Sequence, residues 1–135
     1  MDSLKTKNKF WLHFLSTPFI CGPLIFCIVL DIVFEIYHQV CFPIYGLKKV
    51  NRKEYIQVLD RARLEYLNPI EKLYCMYCGY VNGVIMYWAE VAHRTERYWC
   101  GIMHENKPGY KNPKYQEDME FAKFADKDDY IKKFK

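Results

Sequence analysis

The sequence predicts an all-α, membrane-anchored helical fold, with one N-terminal transmembrane or re-entrant segment and two to three further helices. Three observations carry that expectation. Between Lys9 and Asp31 lie 21 residues without Asp, Glu, Lys or Arg, about the length of helix that crosses ~30 Å of hydrocarbon. Between Lys72 and Glu90 lie another 17 such residues. Asn68-Pro69 stands ahead of the second stretch as a helix start, a capping residue followed by Pro at the first helical position.

The N-terminal segment, residues 1–47, is the anchor. The plain alternative is a buried core helix, but 135 residues offer little protein in which to hide so long an apolar stretch. Lys5, Lys7 and Lys9 imitate the basic start of a signal peptide. The apolar run behind them is too long, holds Pro18 and Pro23, and lacks a small-residue cleavage site. Each Pro removes a backbone donor, so a break is expected near them, covered by protein or close to the interface. Both flanks are basic: residues 1–9 carry net +2 and residues 47–72 net +3. Positive charge favours the cytoplasmic side. A hairpin bent at Pro18–Pro23 would satisfy both flanks, and a tilted single span is the competing arrangement. Pro43 and Gly46 are expected to end the first helix.

Residues 48–104 form the predicted helical region. Within residues 52–66, Tyr55, Ile56, Leu59 and Leu64 supply an apolar side, and Asp60, Arg61, Arg63 and Glu65 a charged one, so an amphipathic helix is expected. From Pro69 a long helix should run to Trp99, with Glu71 favourably placed in its first turn. Gly79 and Gly83 weaken it without ending it, and Gly101 marks its end. Residues 105–135 form a charged tail, expected to be solvated, with turn signals at Pro108-Gly109 and Asn112-Pro113 and a short helix over residues 116–124.

Composition excludes some functions. Apolar residues make up 51% and aromatic residues 18%, too many for a disordered chain. The net charge of +4 is not gathered into a Lys/Arg run, so anionic lipid heads are expected partners and nucleic acid is not. The six cysteines, Cys21, Cys27, Cys41, Cys75, Cys78 and Cys100, are scattered along an apolar chain and are expected to be reduced thiols. There is no Gly-rich phosphate loop, nucleophile elbow or Ser/His/Asp order.

Two constellations could carry chemistry. The first is Cys75-x-x-Cys78 with Cys100-x-x-x-His104, a Cys₃His set of the kind zinc favours, with iron as second choice. It would make a metal or redox site at the membrane surface. On one unbroken helix, however, Cys78 and Cys100 would stand about 33 Å apart, so the set needs a break near Asn82-Gly83 or an antiparallel dimer. The second constellation is acidic. Asp31, Glu35 and His38 line one helix face, and Glu71, Cys75, Cys78, Asn82, Ala89, His93 and Glu96 share a face of the later helix. Two Glu-x-x-His pairs result, Glu35/His38 and Glu90/His93. With an outer Glu from Glu65 or Glu71, they suggest a carboxylate–histidine di-metal oxidoreductase. The simpler reading is ion pairing of Asp31 and Glu35 to Arg61, Arg63 or Arg94, or exposure at the headgroups. A third reading makes the chain a metal-free accessory subunit of a larger membrane complex, or one that self-associates. Arg94-Thr95-Glu96-Arg97-Tyr98-Trp99 has the Arg and aromatic content of a membrane interface.

The motifs Glu35-x-Tyr37-His38, Cys41-Phe42-Pro43-x-Tyr45-Gly46, Cys75-x-Tyr77-Cys78-x-Tyr80-x-Asn82-Gly83 and Arg94-Thr95-Glu96-x-Tyr98-Trp99-Cys100 resemble a family of small, uncharacterised bacterial membrane proteins. The resemblance spans about residues 10 to 104. Family members read Cys-Pro-Ile-Lys-His where this chain has Cys100-Gly101-Ile102-Met103-His104, and do not reliably carry a His at position 93. That departure favours the Cys/His set, with Glu35 and His38, over the second Glu-x-x-His pair. The resemblance implies a bacterial membrane protein; with the basic flanks, the expected location is the bacterial inner membrane with the polar region cytoplasmic. It implies no reaction.

Overall fold

The computed structural model describes residues 10–135. The basic stretch with Lys5, Lys7 and Lys9 lies outside the described residues. The fold is all-α: four helices and two short 3₁₀ turns, with no strand among the described residues.

Helix α1, Phe10–Tyr45, has 36 residues and runs unbroken through Pro18, Pro23 and Pro43. The hairpin alternative is therefore not the arrangement adopted. Helix persists because each Pro removes one hydrogen bond while the turns on either side keep theirs. Hydroxyls help at the first Pro: Ser16 Oγ and Thr17 Oγ1 both donate to the His13 carbonyl, at 2.8 and 3.0 Å. The helix ends as expected at Gly46, whose φ of +68° admits the left-handed conformation. The Leu47 amide bonds the Phe42 carbonyl at 2.9 Å and the Gly46 amide that of Pro43 at 3.2 Å, which is the Schellman pattern.

Helix α2, Pro69–Trp99, has 31 residues and starts where Asn68-Pro69 said it would. Asn68 Oδ1 accepts the Glu71 amide and Glu71 Oε2 accepts the Asn68 amide, both at 2.9 Å, a complete capping box. The two long helices run in the same direction. Tyr77 bonds the Ile20 carbonyl, Tyr80 reaches Asp31, Tyr87 reaches Glu35 and His38, and Tyr98 stacks on Tyr45.

Parallel neighbours need a connection that travels back the full distance, and residues 46–68 supply it. The amphipathic helix expected over residues 52–66 does not form; only the 3₁₀ turns Arg52–Glu54 and Arg61–Arg63 interrupt an otherwise irregular path. The reason is the close approach to α2. A Cβ on Gly79 would lie 2.4 Å from the Gln57 carbonyl oxygen, and one on Gly83 2.8 Å from Ile56 Cα. Backbone meets backbone there, and a helix about 10 Å across could not come so near. The core sits where α1, α2 and this return segment converge: Phe42, Val50, Tyr87 and Val91 are buried, with Phe34, Tyr37, Leu47, Tyr55 and Trp88 against them.

The expected solvated tail is instead folded onto the end of α2. Helices α3, Lys114–Asp118, and α4, Lys127–Phe134, flank a turn that buries Phe121 and Ala122. The Met103 amide donates to the Ala122 carbonyl at 2.8 Å, and the Ala122 amide donates to the Gly101 carbonyl at 2.7 Å. Arg97 donates to the Met119 carbonyl at 2.7 Å and lies over the Phe134 ring at 4.0 Å. These apolar anchors are few and widely spaced among charges, so they leave no periodic signal.

Candidate functional site: a polar cluster between the long helices

Ionisable groups on an apolar helix need partners. On α1, Asp31, Glu35 and His38 share one face, as their spacing requires, and that face meets α2. Asp31 and His38 are buried. The partner of Asp31 is Arg52, from the return segment, and not Arg61, Arg63 or Arg94. Its two guanidinium NH₂ groups donate to the two carboxylate oxygens in a bidentate pair, with Nη1 to Oδ1 at 2.7 Å. The same guanidinium lies 3.6 Å from Glu35. Such planar fork pairing suits Arg and fixes orientation as well as charge. The Asp31 hydrogen bond raises the affinity of Arg52 for its proton, already held at any ordinary pH.

Helix α2 contributes two phenols seven residues apart, hence on one face. Tyr80 donates to Asp31 Oδ2 at 3.0 Å. Tyr87, wholly buried, lies 2.8 Å from Glu35 Oε2 and 2.9 Å from His38 Nδ1. Burial first, and then the carboxylate bonds, push both phenols above the usual tyrosine value, Tyr87 the further of the two. Both therefore stay protonated and act as donors.

The His38 ring is read from its two contacts. The Val50 amide donates to Nε2 at 2.9 Å, so Nε2 carries no proton. Nδ1 then bears the hydrogen of the neutral ring and donates to Tyr87 Oη, whose own proton goes to Glu35. The relay Val50 amide, His38, Tyr87, Glu35 is thus directed along its whole length. Each buried polar atom in it finds a partner, which is what makes such a cluster stabilising.

The residues singled out from the sequence are scattered. Cys75 and Cys78 lie near the start of α2, and Cys100 caps its end. No break occurs at Asn82-Gly83, so one chain does not gather Cys75, Cys78, Cys100 and His104 around one ion. Cys100 and His104 do line a common open cleft of about 680 Å³, with Glu96, Met103, Tyr110 and Phe124. Glu96 there is engaged, accepting from Tyr115 at 2.6 Å and Gln116 at 3.1 Å. The second set is also dispersed. Glu35 and His38 face Tyr87, Glu71 is in the capping box, Glu90 pairs with Arg94 at 2.7 Å, and His93 stacks on Tyr115 at 3.5 Å. The Glu71–Glu96 face of α2 points away from α1, because Gly79, Gly83, Val84, Tyr87 and Val91 form the buried face. Among the described residues, no group of three or more His, Cys, Asp or Glu side chains converges as a metal site.

Arg52, Tyr80 and Tyr87 were the members that sequence reading missed. A signal existed for the tyrosines: they flank Gly79 and Gly83, the positions that mark the close-packed face of α2. Arg52 carries no such mark, since it reaches Asp31 only because the return segment doubles back. No family model, no curated protein and no solved structure matches this chain.

Proposed function

We propose that this chain is a membrane-anchored accessory protein. In this reading α1 holds it on the bilayer, and the polar cluster locks α2 to α1 as a rigid platform for a larger membrane complex. One observation carries the reading. Over residues 11–30 the large apolar side chains lie almost wholly open, with Trp11 77%, Phe19 79% and Phe26 71% exposed. So large an apolar surface in contact with water is unusual in a soluble monomer. Helix α1 is also the one helix among the described residues long and apolar enough to cross a membrane. The polar cluster supports a structural role, because its donors and acceptors satisfy one another. The resemblance to small bacterial membrane proteins, together with the basic flanks, supports a bacterial inner membrane with the polar region in the cytoplasm.

The test is fractionation. Membranes washed with alkaline carbonate should keep the full-length chain in the pellet, and mild detergent should release it in a species larger than the monomer. Recovery of monomer in the aqueous wash would contradict the proposal.

A metal or redox role is the second reading, favoured by the opening of Cys100 and His104 onto one cleft. Zinc is the first candidate and iron the second. Elemental analysis of the detergent-purified protein decides between the readings: about one zinc per chain, lost on Cys100→Ser, would favour the metal.

A further inference from the structure

Building on the anchoring reading, we infer that α1 lies along the membrane surface, with its outer face in the lipid and both of its ends on the same side of the bilayer.

Two independent features lead there. The first is the length of the apolar stripe. Upright crossing would use about 20 residues, and the helix beyond Leu30 would stand in water. The outer face does not change character at Leu30. Leu15, Ile25, Val29, Ile36, Val40 and Ile44 are all exposed, and at 100° per residue they fall within an arc of about 100°. That stripe runs nearly the full 36 residues of the helix and lies opposite the face of Asp31 and His38. An apolar face kept beyond the length of a span matches a helix lying in the interface, where one side stays dry throughout.

The second feature is the charge beside α1. Because α1 and α2 are parallel, the return segment passes alongside the supposed span. Arg61 bonds the Cys75 carbonyl at 3.4 Å, and two residues further along α2 Tyr77 bonds the Ile20 carbonyl at 2.5 Å. Asp60, Arg61, Arg63 and Glu65 are all exposed. An upright α1 would carry these charges to the depth of Ile20, near the middle of the hydrocarbon, where exposed ions are strongly disfavoured. With α1 in the plane, α2 and the return segment sit on its aqueous side. Lys48, Lys49, Lys53, Arg61 and Arg63 are then in water beside the headgroups, which suits anionic lipid.

The experiment uses the full-length chain with an epitope tag before Met1 or after Lys135, expressed in a bacterial host. Protease is added to spheroplasts and to sealed inverted vesicles, which expose opposite faces. Surface placement expects both tags to be cut in one preparation and both protected in the other. One tag cut while the other is protected in the same preparation would overturn the inference and leave the anchoring intact. Absence of the chain from the carbonate-washed pellet would overturn the anchoring as well. A second measurement uses Val40→Lys, an exposed position whose change should leave the fold intact by circular dichroism. Surface placement expects severalfold weaker flotation with vesicles containing phosphatidylglycerol. Unchanged flotation would count against the in-plane stripe.

Discussion

Tyr87 of α2 sets its phenol 2.8 Å from the Glu35 carboxylate of α1. That single bond ties the two long helices together at the centre of the polar cluster, and the same oxygen accepts from His38. A wholly buried hydroxyl serving two partners on another helix is not replaceable by an apolar ring of the same shape.

Tyr87→Phe is therefore expected to lower stability by about 1–3 kcal/mol, because it leaves the His38 Nδ1 proton and one Glu35 oxygen without their partner. Thermal unfolding in detergent micelles checks this. A melting temperature equal to that of the unmodified protein would mean that water replaces the phenol freely, and the cluster would not be the lock described.

Asp31 and Arg52 should behave as a coupled pair. Asp31→Asn leaves the Arg52 guanidinium half-buried with a poorer acceptor, and Arg52→Gln leaves a buried carboxylate without its bidentate cationic partner. Each is expected to destabilise by about 1–3 kcal/mol. The double variant should fall short of the sum by a coupling of about 0.5–3 kcal/mol. Strict additivity would show that the two groups do not depend on each other.

Gly83→Ala separates local preference from packing. Helix propensity alone would make it stabilising by about 0.8–1 kcal/mol. The new Cβ would instead lie 2.8 Å from Ile56 Cα and 2.9 Å from the Tyr55 carbonyl oxygen. Backbone cannot yield as a flexible side chain can, so a net loss of about 1–3 kcal/mol is expected. A stabilised variant would show that the return segment does not press against α2.

Stability should fall on mild acidification through His93. Burial, opposed in part by Glu90 and Glu96, lowers its proton affinity in the folded protein, where it stacks on Tyr115. The unfolded chain then binds the proton more readily. The contribution of the neutral ring is full above the unfolded value of about 6.5 and declines as pH drops below it. Melting temperatures at pH 7.5 and 5.5 should differ less in His93→Gln than in the unmodified protein. An equal pH dependence in the two would remove His93 from the account.

Much of this was legible in the residues. The long apolar N-terminal helix, the Asn68-Glu71 capping box, the Gly46 stop and the need of Asp31 and Glu35 for a partner all follow from local chemistry. Helix periodicity also placed Asp31, Glu35 and His38 on one face. What local chemistry could not supply was direction. Residues 52–66 have a helical pattern, yet they are held irregular by a close approach to Gly79 and Gly83 that exists only in the folded chain. The same doubling back brings Arg52 to Asp31 across 21 positions. The Cys75, Cys78, Cys100 and His104 set had suitable ligand chemistry, but a straight α2 keeps its two halves apart. The tail hid its fold because Arg97 and Phe134 meet as a cation and a ring, a pairing that leaves no periodic trace.

Membrane contact by the N-terminal turns of α1 can be read from Trp11. In a Trp88→Phe, Trp99→Phe variant, Trp11 is the single indole, and bromine on the lipid acyl chains quenches an indole that touches them. Vesicles of brominated lipid should quench most of its emission relative to unbrominated vesicles. Emission unchanged between the two lipids, from a chain that stays monodisperse without detergent, would contradict the account at its root.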